Sequence, residues 1–161
     1  MSDYKSIVLY YTWAGHTKSM AETIAKQVGA DIQEIIPETP YTKNYNDTVN
    51  QAKKEIHKGY CPPIKEITYD LAEYDVVYLG TPIWWGTMAP PIATFLKESD
   101  LSGKTIIPFT THGGGGKGHS DKDIEKMCPN SNILTMYTAY EGGGNNAEKE
   151  IADWLKQNKQ I

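Results

Sequence analysis

Short, continuously apolar runs alternate along the chain with longer stretches in which apolar residues recur every three or four positions. Lys5 to Tyr11 reads K-S-I-V-L-Y-Y, the pattern of a strand buried on both faces of a parallel sheet. From Thr17 to Val28 the period changes. Met20, Ala21, Ile24, Ala25 and Val28 form a helical stripe, and Gly29 supplies a C-terminal cap. Ala30 to Ile36 reads as a second strand, stopped by Pro37. Residues 37 to 63 are polar, and within them Asp47 is placed to cap a helix with a weak stripe of Val49, Ala52 and Ile56 and a stop at Gly59. Asp75 to Gly80 predicts a third strand, and Pro90-Pro91 opens a helix carrying Ile92, Phe95 and Leu96. Lys104 to Thr111 is the fourth strand, in which Pro108, lacking an N–H, predicts a bulge or interruption. Ser120 and Asp123 have the spacing of a capping box for a short helix to Met127. Asn132 to Tyr140 is the last strand. After Gly142-Gly143-Gly144, Asn145 is expected to cap a final helix with Ala147, Ile151, Trp154 and Leu155 on one face and Glu148 in the capping-box position.

Strand and helix thus alternate about five times, which specifies an α/β fold: a parallel sheet covered by helices on both faces. In such sheets ligands bind outside the carboxyl ends of the strands. The loops after the first, third and fourth strands all fall at that edge.

Composition narrows the function. The 161 residues, 39% hydrophobic and 22% charged, suit one globular domain spanning 1–161, and no linker interrupts them. Sixteen basic against twenty acidic residues give 16 − 20 = −4, and every basic residue is lysine. Without arginine the commonest side chain for phosphate and guanine recognition is missing, which argues against nucleic-acid binding. Apolar runs such as Ile7 to Tyr11 fall far short of the roughly 20 residues of a membrane span. Met1-Ser2-Asp3-Tyr4 lacks the basic-then-apolar order of a signal peptide. A soluble, cytoplasmic protein with no membrane partner is expected. Cys61 and Cys128 each precede proline and form neither a C-x-x-C pair nor a zinc knuckle, so reduced thiols and no metal are expected.

The first loop, Thr12-Trp13-Ala14-Gly15-His16-Thr17-Lys18, leads from a buried strand into a helix start. Free N–H groups there can hold an anion, and the hydroxyls of Thr12 and Thr17 add donors. The same residues also suit an ordinary turn capped by Thr17. No G-x-G-x-x-G or Walker sequence occurs. After the third strand come Thr81-Pro82-Ile83-Trp84-Trp85-Gly86. Their paired indoles serve either the core or a flat aromatic ligand. After the fourth strand come Thr111, His112, Gly113, Gly114 and Gly115, where glycines let backbone amides approach a ligand or simply make a flexible loop.

Together, T-W-x-G-x-T, P-I-W-W-G and the glycine-rich loop, in this order and at these strand ends, resemble the flavodoxin family over nearly the whole chain. The resemblance implies a three-layer α/β/α sandwich with five parallel strands in the order 2-1-3-4-5 and one non-covalent FMN. It implies that Thr12 through Thr17 hold the phosphate, Thr81 through Gly86 border ribityl and isoalloxazine, and Thr111 through Gly115 meet the pyrimidine edge. It also implies that a peptide in Trp85-Gly86-Thr87 turns when the flavin is reduced. The chain is less acidic than familiar flavodoxin shuttles, and His16 stands where a neutral residue is usual. The expected function is electron transfer through FMN, to a redox partner protein or a small-molecule acceptor, with no catalytic acid or base in the chain. The alternatives are an NAD(P)H-dependent quinone reductase and a flavin-free partner-binding module. A metal-dependent receiver would need clustered acids after the first strand, where this chain has Thr12-Trp13-Ala14.

Overall fold

A computed structural model describes residues 5–161; the signal-peptide expectation, which concerns Met1 to Tyr4, lies outside them. The apolar runs become β1 (Ser6–Tyr10), β2 (Asp31–Glu34), β3 (Val76–Trp84) and β5 (Thr105–His112), with β4 (Thr87–Met88) a short antiparallel return on β3. The final strand is divided into β6 (Asn132–Ile133) and β7 (Tyr137–Tyr140), both paired parallel to β5. The sheet order is β2-β1-β3-β5-β6, with β7 also beside β5. Counting β6 and β7 as one interrupted strand and setting β4 aside, this is the expected 2-1-3-4-5 sheet. Its register runs from Ile7 opposite Asp31 and Val77 to Pro82 opposite Thr111.

Because successive strand residues face opposite sides, one continuous apolar run supplies two cores. Val8, Tyr10, Tyr78 and Phe109 pack under α1 (His16–Val28) and α5 (Ala147–Gln157) through Met20, Ile24, Ile151 and Trp154. Ile7, Leu9, Val77 and Leu79 pack on the other face with Ile92 and Phe95 of α3 (Pro90–Glu98) and Ile124 of α4 (Ser120–Met127). The remaining helix, α2 (Tyr45–Lys58), crosses the carboxyl edge.

Pro108 does not break its own strand, which runs unbroken from Thr105 to His112. Leu134 N–H donates to the Ile106 carbonyl at 3.0 Å, so Ile106, and by alternation Pro108, faces the last strand. Proline offers that strand no donor, and there the last strand is interrupted, at 134–136. The carbonyl of Thr135, left without a ladder partner, accepts from Trp154 Nε1 at 2.7 Å.

Three expected caps move. Asn44, not Asp47, caps α2, its Oδ1 accepting from Asp47 N–H at 3.0 Å. Ser120 is already helical, and its hydroxyl donates to the Lys117 carbonyl. A 3-10 turn over Gly144–Asn146 replaces the Asn145 cap, so α5 begins at Ala147 without a side-chain cap. Among the described residues no helix is long and apolar enough to cross a membrane, and no group of three or more His, Cys, Asp or Glu side chains could hold a metal.

Candidate functional site

The carboxyl edge of the sheet holds a cleft of about 450 Å³, within the ordinary range of about 300–1,000 Å³ for small-molecule sites. Its floor begins at the β1–α1 loop. Gly15 precedes α1 with φ 97°, a left-handed conformation that favours glycine, and its N–H donates to Thr12 Oγ1 at 3.0 Å, which folds the loop back on itself. The first helical bond runs from Ser19 N–H to Gly15 O. The N–H groups of His16, Thr17 and Lys18 therefore lack helical acceptors, no side chain caps them and no acid stands in the first turn. This arrangement favours an anion.

Thr17 does not cap the helix. It lies one residue inside α1, buried, with Oγ1 2.8 Å from Thr111 Oγ1 of the third loop. Thr12, Trp13, Ala14, His16 and Thr17 line the cleft, whereas Gly15 shapes the loop from behind. A Cβ at Gly142 would come within 3.6 Å of His16 Nδ1, so the His16 ring lies beside the β7–α5 loop.

The β3 strand runs past Gly80 to Trp84 and turns through Trp85 (φ 54°) and Gly86 (φ 77°) into β4, with Trp84 opposite Thr87. Positive φ at both central residues defines a type I′ hairpin turn. Pro82, Ile83, Trp84 and Trp85 line the cleft. Trp84 lines the cleft and also packs inward, meeting Tyr41 and Tyr11 edge-on at centroid distances of 5.1 and 5.6 Å. Trp85 is half exposed, and its Nε1 donates to the Val49 carbonyl at 3.0 Å. Two residues of this segment lie outside the lining. Thr81 is fully buried and links β3 to the start of α3, accepting from Ala89 N–H at 2.9 Å. Gly86 faces the α4 side: its carbonyl accepts from His119 N–H at 2.7 Å, and a Cβ at Gly118 would collide with its backbone. The Gly86 carbonyl is therefore already engaged.

From the third loop, Thr111, His112 and Gly113 line the cleft, while Gly114 and Gly115 do not. Gly114 N–H donates to His112 Nδ1 at 3.0 Å, so in the neutral ring the proton sits on Nε2.

Sequence reasoning missed the α2 wall, made by Tyr45, Thr48, Val49 and Ala52, and Glu141 after β7. Val49 and Ala52 belonged to the recognised stripe, so the available signal was a stripe too weak for an ordinary core helix. The wall is tied down from several directions. Trp13 Nε1 donates to the Thr42 carbonyl at 3.0 Å, and Lys53 Nζ lies 5.2 Å from the Trp85 ring centroid. Behind Trp84, buried Glu55 accepts from Tyr41 OH and from Gln51 Nε2. Burial, followed by the Glu55 hydrogen bond and charge, holds the Tyr41 phenol far above the usual tyrosine range. Among the described residues no lysine lines the cleft, so a bound anion would be met by N–H and O–H dipoles.

The flavodoxin family model matches residues 5–158. The chain belongs to the flavodoxin family. Among solved structures, this flavodoxin-family chain is 32% identical to a protein of Bacteroides eggerthii with a provisional flavoprotein assignment, covering 96% of this chain and 98% of that one at a TM-score of 0.85. A flavoprotein of Lactobacillus acidophilus, in complex with FMN, shares the fold at 24% identity, with 94% and 98% coverage and a TM-score of 0.77. The chain is also 32% identical over 130 residues to NAD(P)H dehydrogenase (quinone) 3 of Rhizobium meliloti. That match covers 68% of this chain and 56% of the relative, so the chain spans little more than half of that protein's length.

Proposed function

We propose that this protein binds one FMN in the cleft and transfers electrons through it, to a redox partner protein or a small-molecule acceptor in the cytoplasm. The observation that carries this reading is the α1 start: unpaired N–H groups with no acid in the helix's first turn, at the same cleft as the indoles of Trp84 and Trp85. One end of the cleft suits a phosphate and the other a flat aromatic ring. The donor set fits the group, since a dianionic phosphate is held well by converging backbone N–H groups without any cation. Thr12, His16 and Thr17 would hold the phosphate end; Trp84, Trp85 and Val49 would border the ring system; His112 and Gly113 would reach its polar edge. FMN supplies the redox chemistry, while the protein orients it and limits its contact with water.

Two features favour a reductase over a one-electron shuttle. One is the quinone-dehydrogenase relative. The other is the Gly86 carbonyl, whose peptide cannot turn toward a ligand without breaking the bond it accepts from His119 N–H.

Titrating FMN into apoprotein should quench tryptophan fluorescence strongly. Trp84→Ala or Trp85→Ala should reduce both quenching and affinity, by roughly 0.5 to 1.5 kcal/mol beyond lost burial. Parental affinity in both variants would place the indoles outside the ligand contact. Stopped-flow mixing with NADH or NADPH then separates reductase from carrier: rapid bleaching of the flavin supports the former.

A further inference from the structure

We propose that Thr111 is a positioning residue for the anionic end of the ligand, acting through Thr17, and not a contact for a polar ring edge. The inference rests on the FMN reading above. Thr17 is 1% and Thr111 4% exposed, and their Oγ1 atoms lie 2.8 Å apart. Neither hydroxyl has another hydrogen-bond partner among the described residues. Each carries one donor proton and two lone pairs. A single bond between them uses one proton and leaves the other without an acceptor, in a place where an unused donor is costly. Both residues line the cleft, so the spare proton calls for an acceptor that the protein itself does not provide.

Which proton is spare follows from the surroundings. Thr17 stands in the first turn of α1 beside the free N–H groups, whereas Thr111 lies at the end of β5. An anion gathered by those N–H groups accepts most strongly from the hydroxyl next to them, because a charge-assisted bond outweighs a neutral one. Thr17 therefore donates to the anion, and Thr111 donates to Thr17. A donor feeding a donor polarises the second bond. The two loops, 94 residues apart in sequence, thereby act as one element that senses whether the ligand carries a phosphate.

The experiment titrates FMN and riboflavin separately into apoprotein of the parent and of Thr111→Val, which keeps the shape and removes the hydroxyl. FMN should bind about tenfold more weakly, the scale of one charge-assisted hydrogen bond, while riboflavin binding changes by less than about twofold. Thr111→Ser should restore the parental ratio. In a Thr17→Val background, Thr111→Val should add no further loss of selectivity. Thr111→Ala removes the same hydroxyl and gives the same reading if the valine variant does not fold. Equal weakening of both flavins, or an undiminished Thr111→Val effect without the Thr17 hydroxyl, overturns the proposal. A parent that binds neither flavin contradicts the proposed function itself and removes the ligand on which this inference depends.

Discussion

Gly80 shows how much of this protein is decided by a single atom that is not there. A Cβ at that position would lie 2.3 Å from Phe109 Cζ and 3.0 Å from Tyr10 Cβ, in the middle of a packed face where neither ring can retreat. Gly80→Ala should lower stability by about 1–3 kcal/mol through overpacking, read as a reduced denaturant midpoint with an unchanged slope; a parental midpoint would mean that Phe109 moves aside freely. The sequence carried no sign of this, because the need for glycine comes from a neighbour 29 positions away in the next strand. Thr17 was legible as a polar residue at a helix start. Its partner was not, since the bond to Thr111 exists only once β1 and β5 are placed in one sheet. Thr17→Val should weaken FMN by roughly 1–3 kcal/mol more than riboflavin, measured by titration of apoprotein, and equal losses for both would remove Thr17 from the phosphate end.

The strands and the helices α1, α3 and α5 could be read directly, because their apolar patterns report burial that the sheet then realises. The helix α2 was legible as an element but not as a wall of the site. Its inward face carries Thr48, Ala52 and Glu55, so periodicity alone could not distinguish a helix over a ligand cleft from a solvated one. Its start is fixed by Asn44, one of the side chains best able to satisfy an exposed helical N–H. Asn44→Ala should cost about 1 kcal/mol locally, and hydrogen exchange over residues 45–58 should quicken while the β-strand amides stay protected. Unchanged exchange there would show that the Trp13 and Trp85 indole bonds, not the cap, hold the wall. The Pro108 expectation failed for its own strand, which runs unbroken: a missing donor weakens the neighbour it faces, which a single-strand reading does not reveal.

Across the whole molecule, in the cores on both faces of the sheet, buried tyrosines resist ionisation. Burial first, then the charges of Glu34 and Glu22, pushes the Tyr10 phenol up to about 12, and burial likewise raises Tyr11, Tyr41 and Tyr78. These groups bind their protons more tightly folded than unfolded, where the phenol titrates near about 10. Their contribution to stability is complete below that pH and is lost as pH rises through the folded values. The tyrosinate absorbance of these four buried phenols should therefore appear only together with loss of fold, above about pH 10; their titration in a still-folded protein would contradict the burial described. A resident FMN at the carboxyl edge of the sheet is read out by the absorbance spectrum of the purified protein, with identification of the cofactor released on denaturation. The purified protein should be yellow and should release FMN, one per chain and held non-covalently. A colourless protein that apoprotein titration cannot load with FMN, or one that releases a flavin without phosphate, would contradict a resident FMN.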